Sequence, residues 1–242
     1  MVVGYYSDSL GLSRLGHVSL DERYIYLFEK WLRQNYSEEI FLINRARPAF
    51  TIDKLYRVYR EDLEYVAEKK DILIIHEGIC DCAPRPVPTR LRRIISVLPG
   101  FLKSRVISFL HAKRPWLLKN GFSFHLTGVY DYERILKEWM KSAVNEFERI
   151  YIVNIAPTNI EMDQHSPGFQ NSIARYNLII KKVINELNNS KIRLIDIHDT
   201  LLKVENLDEF VIKEDGHHLT SLAHRLIADR LVQMEKAFLE HA

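Results

Sequence analysis

Short apolar runs alternate along this chain with longer segments whose apolar residues recur at helical spacing. Each run is rich in Ile and Val with little polar interruption, which is typical of parallel strands buried on both faces. Strands that alternate with helices in this way predict a parallel sheet covered by helices on both sides. The five runs are Val2–Tyr6, Ile40–Ile43, Ile72–Ile75, Ile150–Ile155 and Ile192–Ile197.

The segments between these runs have the periodicity of amphipathic helices. The first one opens with Ser19 and Glu22, the spacing of a capping box, which predicts a helix start at Ser19. The predicted helices are Ser19–Tyr36, Thr51–Lys69, Tyr132–Phe147, Asn171–Leu187 and Leu219–Leu239. We therefore expect a single domain over residues 1–242, a three-layer α/β/α sandwich with a mostly parallel central sheet of about five strands.

A basic segment at about residues 84–120 interrupts the alternation of strands and helices. A proline-rich stretch there precedes two helix-like pieces, Thr89–Leu98 and Phe101–Ala112. Between Ala83 and Tyr130 the chain has nine of its 34 basic residues and no Asp or Glu, whereas the rest of the chain has an acidic excess. We interpret this segment as a helical insertion that lies over the strand ends.

The charge of the insertion leaves three interpretations open. It is a helical cap with solvated arginines, a lid that attracts an anionic substrate, or a monotopic helical contact with an anionic membrane through residues 89–119. A nucleic-acid partner is not expected, because the formal net charge is only +2 and no module of aromatic and basic residues is present.

Composition and cysteine usage indicate an ordinary globular protein. The chain is 47% apolar and 27% charged, and no apolar run approaches the ~20 residues of a membrane span. The first strand begins at once, so we expect no signal peptide. Cys80 and Cys82 lie too close in sequence for a good disulfide and lack the companions of a zinc site. We expect a cytoplasmic protein, with peripheral membrane association left open by the insertion.

Residues suited to nucleophilic catalysis lie just beyond the first and fifth predicted strands. Ser9 follows the first strand, and Asp215 and His218 precede the last helix. The carboxyl ends of parallel strands meet at one edge of a sheet, where sites form. The spacing of Asp215 and His218 lets the carboxylate bind His Nδ1 and leaves Nε2 for the serine. The sequence therefore predicts a Ser–His–Asp site.

These two blocks resemble those of the SGNH (GDSL) hydrolase family. The family's first block, Gly-Asp-Ser-Leu, is matched by Ser7-Asp8-Ser9-Leu10, and its last block, Asp-x-x-His, is matched by Asp215 and His218. The resemblance extends over the whole chain. It implies that Ser9 is the nucleophile, His218 the base and Asp215 the residue that orients the base, with no metal or cofactor.

The middle blocks depart from the family pattern. The second block normally offers a glycine N–H, but residues 44–50 contain no glycine, so Ala46 or Ala49 is the expected donor. The third block is normally Gly-x-Asn-Asp, and Cys80 replaces its Asn. A thiol is a poor donor, and loss of one oxyanion donor costs roughly 3–4 kcal/mol. Arg85, Asn44 and Asn154 are candidate replacements. The residues expected to bind the oxyanion or substrate are Asp8, Ala46, Ala49, Gly78, Cys80, Asp81, Arg85 and Asn154.

The resemblance implies a serine esterase that removes O-acyl groups, such as acetyl, from a carbohydrate or a small ester. Two alternatives remain open at this point. The same three residues suit an O-acyltransferase that acts on a sugar of a surface polysaccharide. The altered oxyanion half also suits a catalytically impaired protein that binds a glycan or a membrane.

Overall fold

The central sheet has five strands, all parallel, in the computed structural model, which describes residues 1–65 and 70–240. The strand order is β2-β1-β3-β4-β5. The strands are β1 (Val2–Ser7), β2 (Phe41–Asn44), β3 (Lys70–His76), β4 (Phe147–Val153) and β5 (Ile192–Ile195). The predicted three-layer α/β/α architecture with five strands is confirmed.

Eleven helices occur in the described part of the chain. They are α1 (Tyr24–Asn35), α2 (Ile52–Tyr65), α3 (Ile79–Cys82), α4 (Thr89–Ser96), α5 (Gly100–Ala112), α6 (Arg114–Lys119), α7 (Val129–Glu146), α8 (Ile160–His165), α9 (Phe169–Leu187), α10 (Ile197–Leu201) and α11 (Ser221–Leu239). Over residues 1–65 and 70–240, no helix has the length and apolar character needed to cross a membrane.

Two hydrophobic cores lie on opposite faces of the sheet. Successive side chains of a strand point to opposite faces, and in β3 Ile72 and Ile74 join one core while Leu73 and Ile75 join the other. Helices α1 and α11 cover the first core, and α2, α7 and α9 cover the second. Burial on both faces explains why the strand sequences are almost continuously apolar.

Several predicted boundaries were wrong. Helix α1 begins at Tyr24, because Ser19 and Glu22 close an exposed turn instead: the Ser19 N–H and hydroxyl both donate to the Glu22 carboxylate, at 2.8 and 2.7 Å. Strand β5 ends at Ile195, because the Asp196 side chain accepts from the Asp199 N–H and caps α10. Strand β4 lies at Phe147–Val153, earlier than Ile150–Ile155. The predicted end of the second helix, at Lys69, lies outside the described residues.

The basic segment between β3 and β4 forms three helices, α4, α5 and α6, one more than the two pieces predicted. Its base is closed by an antiparallel bridge in which the Arg85 N–H donates to the Phe124 carbonyl at 2.8 Å and the Phe124 N–H returns to Arg85 at 2.9 Å. The bridge brings both ends of the segment to the same place beside the sheet.

The large buried rings of the second core generate a stability prediction. Trp139 is fully buried and makes an edge contact with Tyr6, whereas Trp116 on α6 is 60% exposed. We expect Trp139→Ala to lower the free energy of unfolding in urea by about 3–5 kcal/mol, since it removes apolar contacts and leaves a cavity. Trp116→Ala is the matched control and should change it by less than ~0.5 kcal/mol. Equal effects of the two changes would contradict this packing.

Candidate active site

Ser9 lies where the chain leaves β1, at the edge where the strand order reverses. Its neighbour Asp8 is fully buried, and its carboxylate accepts hydrogen bonds from Leu10 N at 2.9 Å, Gly78 N at 3.0 Å and Ile79 N at 3.1 Å. These bonds tie the loop after β1 to the loop after β3. They fix a single turn of 3-10 helix at Ser9–Gly11 in the crevice that α/β sheets use for ligands.

The serine hydroxyl faces a histidine from the far end of the chain. The distance between Ser9 Oγ and His218 Nε2 is 3.1 Å, and the distance between His218 Nδ1 and Asp215 Oδ2 is 2.8 Å. The second oxygen of Asp215 accepts from the amides of His217 and His218 at 3.1 and 3.0 Å. One carboxylate therefore orients both the ring and the loop that carries it.

A glycine lets this loop turn tightly. Gly216 has φ +71°, and a Cβ atom there would lie 2.4 Å from the Asn159 side-chain oxygen. The Asn159 N–H donates to the Gly216 carbonyl at 2.9 Å. The loop after β4 thus supports the one that carries Asp215 and His218.

The electrostatics of the site favour an ionised aspartate and a neutral flanking histidine. Partial burial acts to raise the pKa of the Asp215 carboxyl, but hydrogen bonds from the His218 ring and amide outweigh it and hold the pKa below its usual range. Burial, reinforced by the neighbouring His218, lowers the pKa of His217 to about 4. His217 is therefore uncharged at neutral pH, and its ring lies tilted by 44° against that of His218, with 3.9 Å between the ring centres.

Arg14 belongs to the site although the sequence analysis did not select it. A guanidinium nitrogen of Arg14 contacts His218 Nε2, the atom that also faces Ser9. A short antiparallel bridge between Arg14 and Val18 holds the loop in place. The only signal in the sequence was its position, five residues after Ser9 in the same loop.

The expected binding residues near the third strand are in part structural. Asp81 is buried, and its carboxylate accepts from the Ile52 N–H at 3.1 Å, which anchors the start of α2. Gly78 has φ +119° and would place a Cβ atom 2.6 Å from Ile155. Its N–H is already donated to Asp8. Asp8, Gly78 and Asp81 therefore support the loops of the site through hydrogen bonds to the backbone.

Cys80 lies beside Ser9 in the same cavity. Burial is the main cause that raises the pKa of its thiol to about 12, with the nearby Asp8 and Asp81 carboxyls adding to it. Because the thiol stays protonated at neutral pH, Cys80 is unsuited to act as a nucleophile. It offers a weak S–H donor where the family has an amide.

Three other expected residues are not brought to Ser9. The Ala46 N–H donates to the Asn44 side-chain oxygen at 3.1 Å, so both groups are already engaged. Ala49 is exposed with φ 58°. Asn154 is buried and bonds the Asp196 carboxylate at 2.7 Å and the His198 N–H at 3.1 Å. Because of these hydrogen bonds and positions, other groups must donate the hydrogen bonds to the oxyanion.

A cavity of about 270 Å³ opens at Ser9. Polar and basic side chains line it together with a few apolar ones, and Arg85 and Arg114 from the basic segment reach into it. The lining residues are Ser9, Ile79, Cys80, Ala83, Arg85, His111, Arg114, Met162, His165, Ser166, Phe169 and His217. The structure therefore places Arg85, one of the expected substrate-binding residues, in the same cavity as the nucleophile.

Asp215, His217 and His218 also have ligand atoms close enough for a metal ion, within 4.8 Å of one another. Those atoms are already hydrogen-bonded: His218 Nδ1 to Asp215 Oδ2 and His217 Nδ1 to the Asp215 carbonyl, each at 2.8 Å. Hydrogen bonding within the loop accounts for the cluster.

Comparison with solved structures shows which proteins share this fold. No family model matches the sequence, and no curated protein matches it. A lipase/acylhydrolase from Enterococcus faecalis is similar at a TM-score of 0.66 and 16% identity, covering 98% of this chain and 95% of that one. A catalytic mutant of an acetylxylan esterase from Geobacillus stearothermophilus has a TM-score of 0.59 and 16% identity over 96% and 92%. A lipolytic protein of the G-D-S-L family from Veillonella parvula has a TM-score of 0.58 and 14% identity over 96% of each chain.

The fold is an α/β/α sandwich, and a serine, a histidine and an aspartate form a chain of hydrogen bonds at the carboxyl edge of its sheet. Within that class, the fold is that of the SGNH (GDSL) hydrolases. The resemblance inferred from the two terminal blocks is confirmed at the level of the fold.

The bonding around His218 predicts its tautomer. Nδ1 faces an acceptor, Asp215, and Nε2 faces donors, Ser9 and Arg14. We expect the neutral ring to carry its proton on Nδ1, measured from imidazole ¹⁵N shifts assigned through His218→Gln. In Asp215→Ala the preference for Nδ1 should weaken, because Nδ1 loses its acceptor. The exposed His17, whose Nε2 lies near Glu214, is the internal control and should keep an Nε2 proton in both proteins. An Nε2 proton on His218 in the unmodified protein would contradict the geometry.

Proposed function

We propose that this protein is a serine-dependent hydrolase of the SGNH type that cleaves esters. The observation that carries the proposal is the continuous chain of hydrogen bonds from Ser9 Oγ to His218 Nε2, at 3.1 Å, and from His218 Nδ1 to Asp215 Oδ2, at 2.8 Å. This is the arrangement that activates a serine hydroxyl. The fold shared with lipolytic and esterase structures supports it.

The reaction follows from the positions of these groups. Ser9 Oγ attacks the ester carbonyl carbon while its proton passes to His218 Nε2, and the Asp215 carboxylate stabilises the imidazolium. The tetrahedral intermediate collapses, the alcohol leaves with the proton from His218, and the acyl group remains on Ser9. Water then attacks the seryl ester with His218 again as base, which releases the acid and restores the serine.

The oxyanion needs donors that this chain supplies in its own way. The Ser9 N–H starts the 3-10 turn and has no hydrogen-bond partner within residues 1–65 and 70–240. We assign the second donor to Arg14, whose guanidinium contacts His218 at the reacting end of the ring. In this proposal the Arg14 N–H turns from His218 Nε2 to the oxyanion when the ester binds, which frees Nε2 for the Ser9 proton. A charged donor compensates for the missing Asn, because hydrogen bonds from cations are about twice as strong as neutral ones.

The lining of the cavity supports a polar alcohol as the part of the substrate that leaves. His111, His165 and Ser166 offer hydrogen-bonding groups around a space of about 270 Å³, which suits a sugar ring better than a long alkyl chain. The shared fold with an acetylxylan esterase adds to this argument. We therefore propose removal of short acyl groups, such as acetyl, from a carbohydrate.

The test compares two serine variants on two substrates. The protein should hydrolyse an O-acetylated sugar faster than a long-chain p-nitrophenyl ester, and Ser9→Ala should lower kcat by about 10³-fold or more. Ser13→Ala, in the same loop and exposed, is the control and should retain activity. Acetate release equal in Ser9→Ala and in the unmodified protein would overturn the proposal.

The same experiment distinguishes the acyltransferase that uses the same residues. With an activated acetyl donor and a free sugar acceptor present, a hydrolase releases acetate at a rate independent of the acceptor. Acetyl-sugar formed in excess of acetate, and lost in Ser9→Ala, would reassign the protein to acyl transfer.

A further inference from the structure

A second cavity adjoins the one at Ser9. It measures about 350 Å³, lies between α4 and α5, and shares three lining residues with the first: Arg85, His111 and Arg114. Its remaining lining residues are Pro86, Val87, Arg92, Ile95, Ser96, Lys103, Ile107 and Leu110. The cavity at the nucleophile and the cavity of the basic segment therefore adjoin at these three side chains.

Four cations border this space without an acidic partner. Arg85, Arg92, Lys103 and Arg114 form no ion pair with any described residue, and residues 83–130 contain no Asp or Glu before Asp131. Arg85, Lys103 and Arg114 are half-buried and Arg92 is exposed, and half-buried cations in proteins are normally paired. The described residues supply no negative charge that would neutralise these four cations.

The two arginines nearest Ser9 are held in place by the protein backbone and by Ser166. Arg114 donates from Nε to Ser166 Oγ and from Nη2 to the Pro84 carbonyl, each at 2.7 Å. Arg85 reaches only the Cys80 carbonyl, at 3.5 Å, and its Nε is buried without a partner in the described chain. Burial lowers the pKa of Arg85, and the charge of Arg92 lowers it further.

We propose that the substrate ester carries an anionic group, a phosphate or a carboxylate, which Arg85, Arg114, Arg92 and Lys103 bind in the cavity that adjoins the one at Ser9. This inference rests on the proposed function, since it names the substrate class of the same site. An anion there gives the unpartnered Arg85 Nε an acceptor and relieves the repulsion among the cations. Ile95, Ile107 and Leu110 line the same cavity and offer apolar contacts to the rest of the substrate.

The test measures binding to the Ser9→Ala protein, so that it does not depend on turnover. By titration calorimetry, an O-acetyl hexose phosphate and an O-acetyl hexuronate are compared with the neutral O-acetyl hexose. We expect the better anionic ligand to bind at least about 10-fold tighter than the neutral one, and Arg92→Gln or Lys103→Gln to reduce that ratio by about 10-fold. Arg134→Gln on α7, an exposed cation outside both cavities, should keep the ratio.

The outcomes separate this inference from the proposed function. Equal affinity for anionic and neutral ligands, or a ratio that Arg92→Gln and Lys103→Gln leave unchanged, overturns the anion subsite. Tight anion binding without hydrolysis of any ester by the unmodified protein retains the subsite and overturns the hydrolase. Preference for phosphate over carboxylate, or the reverse, identifies the group.

The outer surface of the basic segment carries a second, independent observation. Helix α5 has apolar residues on most of its circumference, yet none of its side chains is buried. Apolar helix faces are ordinarily covered by other parts of a protein or by lipid. Half of the 20 large apolar side chains that are exposed in the described chain lie between Leu91 and Phe124.

Charge distinguishes the possible occupants of this surface. Exposed basic residues accompany the apolar ones, namely Arg90, Arg93, Arg105, Lys113 and Lys119. A second copy of the same face would bring like charges together at a cost in free energy. An anionic lipid surface matches both the positive charge and the apolar side chains.

We infer that residues 89–124 form a monotopic contact with an anionic bilayer, with Val97, Phe101, Phe109 and Trp116 inserted among the lipids. A large exposed apolar patch marks an interaction site. The contact would place the two cavities, which the same helices border, at the level of the lipid headgroups.

Vesicle flotation with the full chain tests this contact. We expect the protein to float with vesicles that contain phosphatidylglycerol, and to remain below with phosphatidylcholine alone. The double change Phe101→Ser and Phe109→Ser, and separately Arg105→Gln with Lys113→Gln, should each abolish flotation. Leu178→Ser, an exposed apolar residue on α9, is the control and should not. Absence of flotation with anionic vesicles overturns the inference, and so does concentration-dependent dimerisation lost in the Phe101→Ser, Phe109→Ser protein, which would assign the face to a second copy.

Discussion

The whole site depends on the buried carboxylate of Asp8. Three backbone N–H groups from two loops, at Leu10, Gly78 and Ile79, donate to it within 3.1 Å. Since β1 and β3 are neighbours in the sheet, these bonds lock the turn that carries Ser9 against the next strand end. Without them, the serine would have no fixed direction toward a histidine that lies more than 200 residues further along the chain.

The buried titratable groups around this centre oppose one another in their effect on stability. Burial raises the pKa of Asp8 and Asp81 to about 7 from a usual 3.8, so their contribution to stability is full below about pH 3.8 and is lost as pH rises through 7. Burial lowers the pKa of His76 and His224 to about 3 and of His217 to about 4. The histidines contribute fully to stability above pH 6.5, the ordinary pKa of histidine, and this contribution is lost as pH falls toward their lowered pKa values. Between about pH 4 and 6.5, the stability lost from the two aspartates as pH rises is therefore offset by the stability gained from the three histidines.

The layered fold and the set of Ser9, Asp215 and His218 could be predicted because each produces a short, recognisable pattern in the sequence. Apolar runs mark strands, and strand ends mark the edge where sites gather. The oxyanion half could not be predicted, because it depends on where individual N–H groups point. Ala46 has a suitable amide, but Asn44 two residues earlier accepts its proton. Arg14 was missed because its contact with His218 joins parts of the chain 204 residues apart. The predicted capping box at Ser19 forms only one of its two bonds, from the Ser19 N–H to the Glu22 carboxylate, and it does so in a turn.

The central claim is that Ser9 is the activated nucleophile, and labelling with a fluorophosphonate tests it most directly. The reagent forms a stable adduct with an activated serine, and peptide mapping by mass spectrometry identifies the residue. The account predicts a single adduct on the peptide that contains Ser9, lost in Ser9→Ala and strongly slowed in His218→Gln. No adduct on the folded protein, or an adduct that persists in Ser9→Ala, would contradict it.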